Sequence, residues 1–226
     1  MTFEKEQFAR AIGLWKEWNE RINVVSRKDI DNIFEHHILH SLAICQYLYV
    51  NGYVGEVGLP AAALDDREIG VMAVCGPGQQ AGNRKETFLD VGCGGGFPGV
   101  PLAMVMPEAE FTLCDSIGKK VKVAQAVVDG LGLTNVKCVN SRAEELKGQF
   151  DWIVSRAVTG LDNFYPWVKG KFRKGILYLK GGDVNAEISA MCSRCPVNPS
   201  SVSVWPVRDW LDDDYFSEKF VIHVRK

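Results

Sequence analysis

The sequence has no apolar run of the roughly 20 residues needed to cross a membrane as a helix, and its first residues, Met1-Thr2-Phe3-Glu4-Lys5-Glu6, carry no apolar signal core. It has no excess of charge of either sign: 26 basic against 28 acidic residues give a formal net charge of -2. The overall field therefore does not draw in nucleic acid, and a polyanion would have to be held by a local basic patch. There is no internal repeat and no low-complexity tract. A disulfide framework is not expected either. The seven cysteines are an odd number, scattered and mostly set in apolar runs, which fits reduced, buried thiols. These absences lead to the expectation of a cytoplasmic protein with no membrane contact. What is present is ordinary for a globular chain: 46% hydrophobic and 24% charged residues in 226, room for one α/β domain with a small appendage.

The first fifty residues read as a cap of two amphipathic helices. Phe8, Ala11, Ile12, Trp15, Trp18 and Ile22 recur at helical spacing, Asn23-Val24-Val25-Ser26-Arg27 breaks the pattern, and a second stripe runs from Ile30 to Tyr49 with a 3.6-residue period. Residues 51–86 hold seven glycines and two prolines, which marks a surface insertion or linker with at most a short strand near 69–74. From Thr87 to the end, residues 87–226, strands alternate with helices. Strands are expected at 87–91, 110–114, 136–139, 152–154 and 176–179, and helices at 98–106, 119–131 and around 161–172. Such alternation implies a mostly parallel sheet covered on both faces. The last two strand-like runs, 201–205 and 219–224, have no long helix between them and predict an antiparallel edge.

The strongest local signal is Phe88-Leu89-Asp90-Val91-Gly92-Cys93-Gly94-Gly95-Gly96-Phe97-Pro98-Gly99. A hydrophobic strand enters a glycine turn, and Pro98 sits where the first helical residue is expected. Glycine lets the backbone turn through positive φ and lets a ligand come close to it. Two ligand classes fit. Gly94 to Gly99 matches the dinucleotide pattern G-x-G-x-x-G, and Asp90 to Gly96 matches the methyltransferase pattern D-x-G-x-G-x-G. The second is preferred, because Asp90 either receives the cationic end of such a cofactor or orders the loop, whereas a pyrophosphate gains nothing from it. Asp115 closes the next strand, where a carboxylate accepts ribose hydroxyls or caps the following helix. Ser141-Arg142-Ala143-Glu144 follows the third strand, where an adenine ring would rest against Ala143 and Glu144. The cofactor residues expected on these grounds include Asp90, Gly92, Gly94, Gly96 and Asp115.

Together these segments resemble the RsmG (GidB) family. The resemblance runs through Asp90 to Leu102, Asp115-Ser116-Ile117-Gly118-Lys119-Lys120, Ser141-Arg142-Ala143-Glu144, Ser155-Arg156-Ala157 and Leu179-Lys180-Gly181. In the cap it takes in Trp18-Asn19, Asn23-Val24-Val25-Ser26 and His37-Ile38-Leu39-His40-Ser41. It implies a Rossmann-like class I methyltransferase fold: α/β, with a mostly parallel seven-stranded sheet, an antiparallel C-terminal edge and an N-terminal helical cap. It implies S-adenosyl-L-methionine as cofactor, with contacts at Gly92, Phe97, Ala143, Glu144 and Arg156. It further implies cytoplasmic action on 16S rRNA of the small ribosomal subunit, with a guanine N7 as methyl acceptor. The chain departs from the family at the 51–86 insertion and at His40, where members commonly carry Asp.

The chemistry is consistent with that resemblance. Guanine N7 has a lone pair and no proton, so its methylation is a problem of alignment rather than of proton removal. The fourth strand accordingly ends in Ser155-Arg156-Ala157 and not in the Asp/Asn-Pro-Pro-aromatic turn of amino-group methyltransferases. Arg156 is expected to pair with the cofactor carboxylate, the alternative being a salt bridge at the sheet end. Lys119, Lys120 and Lys122 sit in the first turn of a helix, against its dipole, which favours an outside anion such as RNA phosphate over a merely solvated face. Lys180 is expected to reach the substrate guanine or its phosphate. Lys180 and Arg156 are thus the catalytic candidates, and Lys119, Lys120, Lys122 and Lys180 the RNA contacts. No metal is expected, since His36 and His40 lack a third ligand. His37 reads as a hydrogen-bonded core histidine, Trp15 and Trp18 as helix packing, and Cys192-Ser193-Arg194-Cys195 as a lone C-x-x-C. A monomer is expected. The rival readings are a small-molecule methyltransferase, an NAD-dependent oxidoreductase and a non-catalytic ribosome-associated binder.

Overall fold

The computed structural model describes residues 5–58, 73–77 and 85–226. Helix α1 spans Lys5–Arg21 and buries Phe8, Ala11 and Trp15, the stripe expected from the sequence. Buried Asn19 shapes the reversal that follows: its Oδ1 accepts from the N–H groups of Val24 and Val25, and its Nδ2 donates to the Val25 carbonyl at 3.0 Å. A short turn at Ile30–Asn32 then leads into a π-helical turn, Phe34–Leu39, which runs directly into α2, His40–Val50. The sequence predicts an unbroken 3.6-residue period here. The wider π turn departs from it, and such turns recur at functional sites.

Two short strands follow, β1 (Val54–Gly58) and β2 (Ala73–Pro77), paired antiparallel. The sequence suggested at most one strand in this stretch, and residues 69–72 of that prediction lie outside the described ones. Helix α2 packs on this ribbon. Its Cys45 is disulfide-bonded, which corrects the reading of the cysteines as thiols throughout; Cys93, Cys114, Cys138, Cys192 and Cys195 are free.

The remainder runs β3 (Thr87–Val91), α3 (Gly99–Val105), β4 (Glu110–Asp115), α4 (Gly118–Leu131), β5 (Val136–Asn140), β6 (Phe150–Arg156), α5 (Leu161–Val168), β7 (Phe172–Gly181), α6 (Val184–Arg194), β8 (Val202–Pro206) and β9 (Lys219–Arg225). Helix α5 stops at Val168, short of the expected 172, because β7 begins there and extends well before the predicted 176. Helix α6 is absent from the sequence reading, although Asp183 caps it by accepting from the N–H groups of Asn185 and Ala186.

The seven strands lie in the order β5-β4-β3-β6-β7-β9-β8, parallel except for β9, which runs antiparallel to both neighbours. Alternation decides which face each residue serves. Phe88, Trp152, Val154, Leu177 and Leu179 join one apolar cluster, while Leu89, Val91, Ile153, Ile176 and Tyr178 join the other. The first cluster also takes in Trp15 and Leu42 from the helical cap and Val100 and Val127 from α3 and α4. The cap therefore completes the core on that face, each such side chain contributing about 1.5–3 kcal/mol of burial. Helices α5 and α6 cover the opposite face through Leu161, Phe164, Val184 and Met191.

Candidate active site

The chain leaves β3 toward β4 on one side and is flanked by β6 on the other, so the carboxyl end of β3 is the topological switch point, where ligands bind in such sheets. A cleft of about 780 Å³ opens there. Its floor is the glycine turn. Gly92 (φ +73°) and Gly94 (φ +54°) take left-handed backbone, and the N–H groups of Gly92 and Cys93 both donate to the Cys114 carbonyl of β4. A Cβ at Gly92 would collide with Val158, whereas one at Gly94 would stand in open space. The turn is thus sealed at one glycine and open at the next.

Asp115, at the end of β4, fixes the turn to the sheet. One carboxylate oxygen accepts from the Gly94 N–H at 2.9 Å and the other from the Ile117 N–H at 2.8 Å. A carboxylate offers about four lone-pair positions, so each oxygen keeps one for a ligand. Asp90 behaves differently. It is wholly buried, does not line the cleft, and accepts from the Gly99 N–H at 2.8 Å at the start of α3. Its other oxygen has no partner, and burial pushes its pKa up to about 7 against the opposing pull of the Gly99 N–H. Asp90 therefore orders the loop from beneath.

The cap forms the facing wall. Trp15 is fully buried, donates its indole N–H to the Gly95 carbonyl at 2.8 Å, and stacks on Phe97 at 4.3 Å between ring centroids. His37 and His40 reach the cleft from the π turn and the start of α2. His36 stacks on Tyr215 at 3.6 Å, and the Tyr215 hydroxyl donates to the His36 carbonyl. Arg156, at the end of β6, donates to the His36 carbonyl at 3.1 Å and to His37 Nδ1 at 2.7 Å, and its guanidinium lies 5.1 Å from the centre of the Phe97 ring. Burial lowers its pKa to about 10, leaving it charged.

Beyond Arg156 the chain is folded tightly. Ala157 takes φ 50°, rare for a residue with a side chain. The Tyr178 hydroxyl accepts from the N–H groups of Val158 and Thr159 and donates to the Thr159 carbonyl, which fixes Val158 above Gly92. Lys180 closes β7 and is bound to Glu187 of α6 at 2.8 Å, while the second Glu187 oxygen accepts from the Leu161 N–H.

Of the residues singled out in the sequence, Gly92, Gly94, Phe97, Asp115, Lys120, Ala143, Glu144, Arg156 and Lys180 line the cleft. Asp90, Gly96, Lys119 and Lys122 do not. Lys119 and Lys122 point to solvent from α4, with only Lys120 turned inward. The sequence gives no hint of Val24, Tyr215 or Lys219 in this wall. His37 was read from its apolar stripe as a bonded core histidine; it is bonded, and it also faces the cleft. Among the described residues no group of His, Cys, Asp and Glu is disposed to hold a metal ion, and no helix is long and apolar enough to cross a membrane.

A sheet in this order, with a glycine turn at its switch point, a carboxylate closing the neighbouring strand and a reversed strand at the edge, defines a Rossmann-like class I methyltransferase. The family described as rRNA small subunit methyltransferase G (GidB) matches residues 76–207. The ribosomal RNA small subunit methyltransferase G of Flavobacterium johnsoniae is 40% identical over 227 residues, covering 97% of this chain and 90% of that protein. That of Porphyromonas gingivalis is 37% identical over 230 residues, 98% of this chain and 86% of that protein. Among solved structures, the ribosomal protein L11 methylase of Lactobacillus delbrueckii subsp. bulgaricus overlaps 65% of this chain and 72% of its own, at 16% identity and a TM-score of 0.49. The chain belongs to the GidB family of small-subunit rRNA methyltransferases.

Proposed function

We propose that this protein transfers the methyl group of S-adenosyl-L-methionine to N7 of one guanosine in the 16S rRNA of the small ribosomal subunit, in the cytoplasm. The observation that carries the reading is the pairing of family membership with a cleft whose floor fits the cofactor. The open space at Gly94 admits a ligand against the backbone, and each Asp115 oxygen keeps a lone pair for a ribose hydroxyl.

In this reading Gly92, Gly94 and Phe97 hold the amino-acid end, Arg156 receives its carboxylate, and Ala143 and Glu144 flank the adenine. The cofactor supplies an electrophilic methyl on a sulfonium. The protein's own task is alignment, since N7 has no proton to lose. Guanine presents O6 and N7 as adjacent acceptors. Lys180 donates to O6, which leaves the N7 lone pair free for the methyl. Lys120 at the rim meets phosphate, and Lys119 and Lys122 extend its field outward along α4.

The test is labelled-methyl transfer from S-adenosylmethionine to under-methylated small subunits, with the product mapped by cleavage selective for N7-methylguanine. A single N7-methylguanine in 16S rRNA is expected. Incorporation at another atom, or none while cofactor binding persists in calorimetry, overturns the acceptor assigned here.

A further inference from the structure

Arg156 is a recessed cation without an acidic partner in contact. Among the described residues no carboxylate lies within ion-pair distance of it, and both of its hydrogen-bond acceptors are neutral: the His36 carbonyl and His37 Nδ1. Behind His37 stands Asp29, whose carboxylate is 2.7 Å from His37 Nε2 and also meets His36 Nδ1. The order of these contacts fixes the tautomer. Asp29 accepts the proton on Nε2, so Nδ1 carries the lone pair that accepts from Arg156. Burial and the nearby Arg156 charge hold His37 near pKa 4 despite the pull of Asp29, so the imidazole is neutral at physiological pH. The bonds to both histidines outweigh burial and keep Asp29 below the usual carboxylate range.

We propose that Asp29 and His37 are positioning residues: Asp29 orients His37, and His37 holds the Arg156 guanidinium over Phe97, aimed at the carboxylate of the cofactor's amino-acid end. The proposal rests on the reading of S-adenosylmethionine as cofactor. Its physical content lies in the neutral ring placed between two charges. A direct Asp–Arg contact would satisfy the guanidinium internally, and an incoming carboxylate would then have to displace a charged partner. The imidazole instead fixes the guanidinium with one hydrogen bond and leaves it without a carboxylate in contact, the charges of Asp90 and Asp29 reaching it only from a distance. Of the five N–H groups of a guanidinium, two are committed here, to His36 and His37, so a planar pair remains for a carboxylate. Two stretches far apart in sequence build this device: residues 29–37, from the loop after α1 into the π turn, and the end of β6, 119 residues beyond His37.

The test compares two ligands on the full chain by calorimetry. S-adenosylhomocysteine carries the amino-acid carboxylate, and 5′-methylthioadenosine lacks it. His37→Phe keeps a ring beside Phe97 and removes the acceptor. His37→Asn restores an acceptor near the Nδ1 position, and Asp29→Asn frees the ring to turn. His37→Phe and Asp29→Asn are expected to weaken S-adenosylhomocysteine about tenfold or more, a loss of about 1.4 kcal/mol, with methylthioadenosine held within about twofold. His37→Asn is expected to recover most of the loss. In Arg156→Ala, adding His37→Phe is expected to cost nothing further, because the two act as one unit. Equal losses for both ligands, or none for either, overturn the positioning role while the cofactor reading stands. Failure of the unaltered protein to bind S-adenosylhomocysteine overturns the cofactor reading and this role with it.

Discussion

The two walls of the cleft are made of different material. The sheet wall is held by main chain: Gly92 and Cys93 bond the Cys114 carbonyl, Gly94 and Ile117 bond Asp115, and Gly99 bonds Asp90. The cap wall is held by side chains: Trp15 on Phe97, His36 on Tyr215, and the run from Asp29 through His37 to Arg156. Main-chain bonds depend on backbone conformation and survive most substitutions nearby, so the sheet wall is a rigid seat that fails only where a glycine or an anchoring carboxylate is lost. Side-chain contacts depend on each residue in turn, so the cap wall is the more adjustable surface. His40 stands in that wall as a buried imidazole, edge-on to Tyr215 and Phe216, and its Nε2 has no hydrogen-bond partner.

The sharpest way to break the sheet wall is Gly94→Asp. The left-handed backbone at this position tolerates Asp, and a Cβ there meets nothing, so the fold is expected to survive. The new carboxylate occupies the open side of the turn, and affinity for S-adenosylhomocysteine is expected to fall by about 100-fold or more. Calorimetry beside a thermal melt checks this; unchanged affinity would remove the turn from the cofactor site. The cap wall breaks in the opposite manner. Trp15→Ala is expected to cost about 3–5 kcal/mol of stability, as large aromatic truncations in a core do, with cofactor affinity falling as a consequence. Urea titration measures the first effect. A loss of binding at full stability would show that Trp15 acts on the ligand rather than through packing.

Lys180 stands where the walls meet and tests a smaller effect. Lys180→Ala is expected to leave cofactor affinity intact and slow methyl transfer about tenfold, a barrier increase of about 1.4 kcal/mol. Glu187→Gln is the companion variant, because Gln still accepts from the Leu161 N–H while loosening its hold on Lys180. If Glu187→Gln slows transfer as much as Lys180→Ala, the pair works by fixing the β7–α6 corner rather than by touching the substrate.

The same contrast explains what the sequence discloses. The sheet wall is written locally: a strand, a glycine turn and a helix start fall within residues 88–99, and the carboxylate of Asp115 follows one helix later. The turn, the mostly parallel sheet with its antiparallel edge and most strand positions can therefore be read without coordinates. The cap wall joins Trp15 to Gly95 and His37 to Arg156 across separations of 80 and 119 residues, which no local pattern encodes. The π turn is hidden for a related reason, since its apolar stripe looks like an ordinary helix until the extra residue per turn is seen. Lys119, Lys120 and Lys122 look equivalent as a charge run, yet the helical period turns only Lys120 toward the cleft. Helix α6 escapes the sequence reading although its signal is present: Asp183 marks its start, and Val184, Ile188, Met191 and Cys192 follow at helical spacing on the face that meets the core.

The walls also titrate in opposite senses, and stability against pH separates them in the cofactor-free protein. Asp90 has a folded pKa of about 7 against an ordinary 3.8, so the folded chain keeps a proton that the unfolded chain has released. Its contribution is full below about pH 4 and is lost as the pH rises toward 7. His37 and His40 oppose it, together with His223 of β9, which is buried against Tyr47 and Trp152. Burial first, then neighbouring cations, lowers His37 and His223 to about 4 and His40 well below its ordinary value. The unfolded chain binds protons below about 6.5 that the folded chain refuses, so their contribution is full above that pH and is lost as the pH falls toward 4. Between about pH 4 and 6.5 the carboxyl cancels part of the histidine slope. Asp90→Asn preserves an acceptor for the Gly99 N–H and removes the opposing titration. Urea stability of this variant is expected to climb more steeply with pH across that window than that of the unaltered protein, by up to about 1.4 kcal/mol per pH unit. Parallel profiles would mean that Asp90 is ionised throughout and orders the glycine turn as a carboxylate, which would make the sheet wall the charged one and the cap wall the only pH-sensitive one.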